Sequence, residues 1–295
     1  IEANVNVPLV LHLGHEQPNS QVGSSARTSQ TSAESSSDTA DESPPHFPFP
    51  QVTTLPSVLR AAKADRVDAI VWTSALSASG IALLSLDRPD KLNAFDERMI
   101  REMRAVIWRI AFDETVRVLI ITGEGRGFCS GGDVRAMDER GGAIALQSRP
   151  LGAVSQRGRR IIHNMLWVEQ PMICALNGVA AGLGATIALF CDIIYASDQA
   201  RIGDTHVRAG LVAGDGGAVI WPLLIGVAKA KELLMTGDFI DAQEAERIGL
   251  INKVVPHDDL METVMDLARR LASGPALAIR GTKHALNKRV WGELN

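Results

Sequence analysis

Cysteine is scarce in this 295-residue chain. Cys129, Cys174 and Cys191 are the three present, and their spacing fits neither a metal-ligand set nor a disulfide framework. Cys174 and Cys191 lie inside apolar runs, where a free thiol behaves as a small hydrophobe; this agrees with a reducing compartment. The seven histidines show no metal-site spacing either, and no metal is expected. Positive charge is not in excess: 30 Lys and Arg face 34 Asp and Glu, a formal net charge of −4. Nucleic acid as main partner would favour a basic surface. No apolar run approaches the ~20 residues of a membrane helix, and residues 1–13 lack the basic lead of a secretory signal. These absences leave a soluble protein, expected in the cytoplasm or an organellar matrix.

Residues 17–51 are rich in Ser, Thr, Ala, Asp, Glu and Pro. Such a stretch buries too little apolar surface to offset its chain entropy, so residues 1–69 read as a disordered or low-complexity extension. A folded core is expected over 70–255, with a helical C-terminal segment over 256–295. A strand is expected at 81–86. Asp96 is placed to cap a helix to about residue 111, because Met99, Ile100, Met103, Val106, Ile107 and Ile110 recur on one helical face. A strand at 116–122 leads into a loop at 123–133, then a short helix and a longer one at 155–167. Residues 173–196 read as strand, glycine-rich turn, helix and strand. Helices follow at 227–235, 242–248, 258–272 and 276–286, with a short strand at 251–255. Strands alternating with helices imply an α/β sheet with a helical C-terminal part. Trp108, Trp167 and Trp221 are assigned to the core or to subunit contacts.

Two glycine-rich loops, 125–134 and 177–184, each join a strand to a helix. Glycines let backbone approach a ligand closely. A turn that opens a helix presents free N–H groups together with the positive end of the helix dipole. One N–H from each loop would make the donor pair that a developing oxyanion requires.

The segments Arg88-Pro-Asp-Lys-Leu-Asn-Ala94, Gly127-Phe-Cys-Ser-Gly-Gly-Asp133, Asn177-Gly-Val-Ala-Ala-Gly-Leu-Gly184, Cys191-Asp-Ile-Ile-Tyr-Ala196 and the run from Gly237 to Val255 resemble, in this order, the crotonase (enoyl-CoA hydratase/isomerase) superfamily. The resemblance implies a crotonase-like repeated ββα core, a homotrimer or dimer of trimers, and an acyl-CoA thioester as substrate. It implies no cofactor other than the coenzyme A that the substrate carries. By position, the backbone N–H groups of Gly132 and Leu183 form the oxyanion hole; Leu183 stands where the family usually has Gly. Lys91, Leu92, Ala94, Ser130, Asp133 and Val134 fall where the family lines CoA. Lys91 as a solvated charge and Asp133 as a helix cap are the plainer readings.

The pattern breaks where the family's hydratases carry two glutamates: Thr186 and His206 occupy those positions. An imidazole is a competent acid/base near neutral pH, so His206 is the expected proton carrier. Asp204 or Asp215 would be its partner, with Asp204 on the same side if the loop is extended. For Thr186, a bond back into its own helix competes with holding a water. The resemblance implies a further helical stretch after the helix at 276–286, so the expectation is either a truncated sequence or a site completed differently. The leading function is enoyl-CoA hydration or isomerisation. The alternatives are hydrolysis of a CoA ester or C–C cleavage of a β-dicarbonyl substrate on the same fold, and a non-catalytic RNA-binding or scaffold homologue. Arg98, Arg101, Arg104 and Arg109 would supply the basic stripe for RNA, although interleaved Glu97 and Glu102 favour a solvated face.

Overall fold

The structure, a computed structural model, describes residues 70–73, 80–133 and 155–294. The extension at 1–69, the short helix expected after Asp133, and Val134 lie outside the described residues. The main sheet has six strands: β1 (Ile70–Thr73), β2 (Ile81–Leu86), β3 (Val118–Gly123), β5 (Met172–Leu176), β7 (Ile193–Ser197) and β10 (Lys253–Val255). All neighbours are parallel except the β1–β2 edge.

Every residue of β2, β3 and β5 is buried, as in a parallel sheet covered on both faces. Alternation divides their side chains between two cores. Ala82, Leu84, Leu119, Ile121 and Cys174 pack with Met99, Met103, Ile107 and Ile110 of helix α1 (Glu97–Ala111). Ile81, Leu83, Val118, Ile120 and Ile173 pack instead against Leu260, Val264 and Ala268 of α7 (Leu260–Ser273). Each Val, Leu, Ile or Met among them contributes about 1.5–3 kcal/mol when removed from water. The expected cap of α1 is present: Asp96 Oδ1 accepts from Met99 N at 2.8 Å. Trp221 is fully buried, whereas Trp108 and Trp167 are 47% and 65% exposed on this chain. Among the described residues no helix is long and apolar enough to cross a membrane.

A second sheet holds the order β4 (Gly127–Cys129), β6 (Val179–Ala181), β8 (Arg201–Gly203) and β9 (Ile240–Asp241). The first three run parallel, so their C-terminal ends lie side by side. β4 opens into Ser130–Gly131–Gly132–Asp133, β6 into Gly182 and helix α3 (Leu183–Leu189), and β8 into Asp204–Thr205–His206. Ligand sites of parallel α/β sheets form at such ends.

The remaining helices are α2 (Ser155–Trp167), α4 (Gly217–Ile225), α5 (Val227–Thr236), α6 (Ala242–Arg247) and α8 (Ala276–Leu294). α8 runs eight residues past the sequence expectation of residue 286 and is pinned to the core by Lys283. Its Nζ lies 2.7 Å from Asp192 Oδ2 and donates to Gln170 O at 2.9 Å.

Candidate active site

The first loop is held from one side. Phe95 N donates to Gly131 O at 2.7 Å, and Asp133 N donates to Phe95 O at 2.9 Å. The intervening residue of such a bridge faces the other way, so Gly132 turns its own N–H away from Phe95. Two side chains brace this loop that the sequence reading quoted in a motif but gave no role. Asn93 Nδ2 donates to Glu124 O, Gly127 O and Phe128 O at 3.0, 2.9 and 3.1 Å. Arg88 reaches Asp133 Oδ2 at 3.3 Å and Asp96 Oδ2 at 3.4 Å and also donates to Ala94 O. The Asp133 carboxylate is thus tied back to Arg88.

The second loop meets the first. A Cβ on Gly131 would lie 2.8 Å from Ala181 O and 3.6 Å from Leu183 N. Gly182, at φ +50° and ψ −122°, adopts a backbone that side chains disfavour, and thereby starts α3 with Leu183 as its first residue. Gly184 packs so tightly on β4 that any Cβ there would overlap Cys129 O. Neither Gly132 N–H nor Leu183 N–H has a backbone acceptor among the described residues. The two N–H groups that the resemblance singles out therefore belong to two adjoining loops. Lys91 and Leu92 adjoin Ser130, whose N donates to Leu92 O at 2.9 Å. Lys91 is exposed, Leu92, Ser130 and Asp133 are half-buried, and Ala94 is buried.

The third loop carries the titratable groups. It is not extended: His206 begins a single 3-10 turn (His206–Ala209). Asp204 still faces the ring, because its Oδ1 accepts both His206 N at 3.2 Å and contacts Nδ1 at 2.6 Å. This is a local side-chain turn of the kind Asp favours. Asp215 arrives from the far side, with Oδ2 3.3 Å from Nε2, although out of line for a hydrogen bond. Both candidate partners are therefore engaged, one on each nitrogen. Thr186 Oγ1 lies 3.1 Å from Asp215 Oδ1 and 3.2 Å from Gly182 O. It has one proton for two acceptors, and the carboxylate is the stronger.

Asp204 and Asp215 are 1% and 4% exposed. Burial pushes the His206 pKa down, but the hydrogen bond to Asp204 and the charges of Asp204 and Asp215 outweigh it and hold the ring at about 10. At neutral pH His206 is an imidazolium, so the resting ring is an acid rather than a free base. Asp204, His206 and Asp215 also bring ligand atoms within 4.8 Å of one another, a spacing that a metal ion could bridge; the ring proton already offsets part of the carboxylate charge. Cys129 is no nucleophile, since burial pushes its thiol to about 12 against the lowering effect of Gly131 N–H. His163 packs on Trp291 at 5.6 Å, and His257 meets Ser197 Oγ at 3.0 Å; neither joins the cluster.

An α/β fold that sets two adjoining glycine-rich loops beside a buried Asp–His–Asp cluster is an arrangement suited to an acyl-transforming enzyme. The family model for enoyl-CoA hydratase/isomerase matches residues 77–294. The chain is 38% identical to a crotonyl-CoA hydratase of Syntrophomonas wolfei over 216 residues, 73% of this chain and 81% of that one. It is 35% identical to a 1,2-epoxyphenylacetyl-CoA isomerase of Escherichia coli, covering 70% of this chain and 79% of the other. The crystal structure of an enoyl-CoA hydratase from Bacillus anthracis superposes with TM-score 0.69 at 30% identity, over 76% of this chain and 84% of that one. The chain belongs to the enoyl-CoA hydratase/isomerase family and is an enzyme of that type.

Proposed function

We propose that this chain hydrates a 2-enoyl-CoA thioester with Asp215 as base and His206 as acid. The observation that carries the reading is a buried carboxylate 3.3 Å from an imidazolium, beside two backbone N–H groups that have no backbone acceptor among the described residues. Acid–base chemistry needs two groups whose environments keep their protonation states apart. The thioester oxygen lies between Gly132 N–H and Leu183 N–H. Asp215 takes a proton from water as the water oxygen bonds to C3. The electron pair of the double bond shifts toward the thioester oxygen, where the two N–H groups stabilise the enolate. His206 Nε2 then gives its proton to C2, and the proton on Asp215 returns to Nε2. Water is added and both groups are restored. Asp204 holds Nδ1 and favours the charged ring.

Lys91, Leu92, Ala94, Ser130, Asp133 and Val134 would contact CoA, and a homotrimer or dimer of trimers is the assembly that goes with this reading. Against an RNA-binding role, Arg98 is engaged by Glu102 at 2.6 Å on the outer face of α1.

The test is mass spectrometry after incubation with crotonyl-CoA, a 3-enoyl-CoA and a β-ketoacyl-CoA. The expected product is crotonyl-CoA plus one water with CoA retained, lost with His206→Ala. A moved double bond alone, or a cleaved carbon skeleton, would replace hydration by isomerisation or hydrolysis. Full turnover by His206→Ala would remove the proton-transfer assignment.

A further inference from the structure

The side chain of Leu183 stands where the family usually has none, and its surroundings show where it goes. Gly158, in the first turns of α2, is buried. A Cβ added there would lie 3.1 Å from Leu183 Cδ1 and 3.1 Å from Asp215 Cβ. Leu183 and Asp215 therefore converge on one notch in α2. Glycine within a helix costs about 1 kcal/mol relative to alanine. Here it lets α2 approach both side chains. Leu183 is 8% exposed, so it is packed in place.

The consequence follows from the path of the acyl group. C1 is fixed by the oxygen at Leu183 N–H and Gly132 N–H, and C2 and C3 must reach His206 and Asp215. The isobutyl group of Leu183 starts at the N–H donor and ends in the notch at Gly158 that Asp215 Cβ also lines, so it runs alongside C2 and C3. Resting on the hydration reading for where those carbons sit, we propose that Leu183, seated by Gly158, makes the site select acyl-CoA thioesters unbranched at C2 and C3. Chain length beyond C4 is not read by this side chain. One extra methyl group against a packed wall discriminates by about 10-fold to 200-fold.

The experiment measures equilibrium binding of butyryl-CoA, its isomer isobutyryl-CoA, and hexanoyl-CoA to the full chain. These saturated thioesters cannot be hydrated, so the result is independent of the reaction. The expected preference for butyryl-CoA over isobutyryl-CoA is at least about tenfold. Leu183→Ala should reduce it to within about twofold and leave the hexanoyl-to-butyryl ratio unchanged. Gly158→Ala, which presses Leu183 toward the substrate, should widen the preference. If Leu183→Ala does not fold, Leu183→Val, one carbon shorter, should narrow the preference in the same direction. An unchanged isomer ratio in a folded Leu183 variant overturns the proposal, as does a shift of the length ratio by as much as the isomer ratio. Crotonyl-CoA hydration without isomer selection would refute selection alone. Isomer selection without hydration would refute the reaction alone.

Discussion

Replacing Asp204 by Asn tests the charged state of His206 directly. The ring is raised from 6.5 to about 10 by two carboxylates acting against burial, a preference for the charged form worth about 5 kcal/mol at 1.36 kcal/mol per unit. Asp204 makes the shorter contact, 2.6 Å against 3.3 Å for Asp215, so its removal should forfeit at least about half of that preference and bring the ring to about 8 or below. The sign for stability follows. A group whose pKa is raised on folding contributes stability fully present below its unfolded value and lost as pH rises through the folded one. Wild-type stability from this pairing should therefore be complete below about pH 6.5 and decline up to about pH 10; with Asp204→Asn the decline should still begin near pH 6.5 but end about 2 pH units lower. The assay is an imidazole NMR titration of His206, with the pH–rate profile of crotonyl-CoA hydration beside it. The alkaline limb of kcat/KM should shift with the ring. A ring that titrates at the same pH in both proteins would refute the assignment of its charge to Asp204.

Asp215→Asn should lower kcat by about 10²-fold or more, as expected for loss of a positioned base, while Thr186→Val should cost no more than about tenfold; steady-state kinetics decide, and equal losses would contradict the division of roles. Asn93→Ala removes the donor serving three carbonyls and leaves alanine at φ +56°. It should destabilise the fold by about 2–4 kcal/mol in denaturant titration, and a loss under 1 kcal/mol would show the brace to be dispensable. Lys283→Met strips Asp192 of its cation and Gln170 O of a donor. A loss of about 3 kcal/mol is expected for a broken, largely buried pair, again by denaturant titration, and a neutral result would mean that α8 is held by packing alone.

Most of the main sheet and its covering helices were legible from apolar runs and periodicity; the edge strand β1 was not read as a strand, and the strand expected at 251–255 forms over Lys253–Val255. Residues 81–86 form a strand of six, and the apolar stripe of α1 fills four turns behind its Asp96 cap. The second sheet was not legible. β4, β6 and β8 have three residues each, too few to separate a strand from the loop around it, and they are the strands that end in the site. Helix α4 was hidden by Gly216, Gly217 and Pro222, which read locally as breakers although the helix carries Pro222 inside it. Within the site, the Asp204–His206 pair was visible as a two-residue spacing. Gly158 carried no signal, because its importance lies in what approaches it from α3 and from the loop at Asp215.

The absence of both family glutamates looks in sequence like the loss of a mechanism, yet a carboxylate still occupies the site. Asp215 Oδ1 lies 3.1 Å from Thr186 Oγ1, so a carboxyl group reaches position 186 from the loop after β8. What the chemistry requires is a base beside an acid near the oxyanion donors, not a particular residue on α3. Moving the carboxylate back tests this equivalence. Asp215→Ala should lose about 10²-fold or more in kcat, and adding Thr186→Glu, which extends a carboxylate into the space that Asp215 vacated, should recover at least tenfold of it. Recovery is expected because His206 keeps Asp204 on Nδ1 and so remains an acid. If the double variant folds, binds acyl-CoA and stays as slow as Asp215→Ala alone, then the direction from which Asp215 enters matters as much as its charge, and the two carboxylate arrangements are not interchangeable.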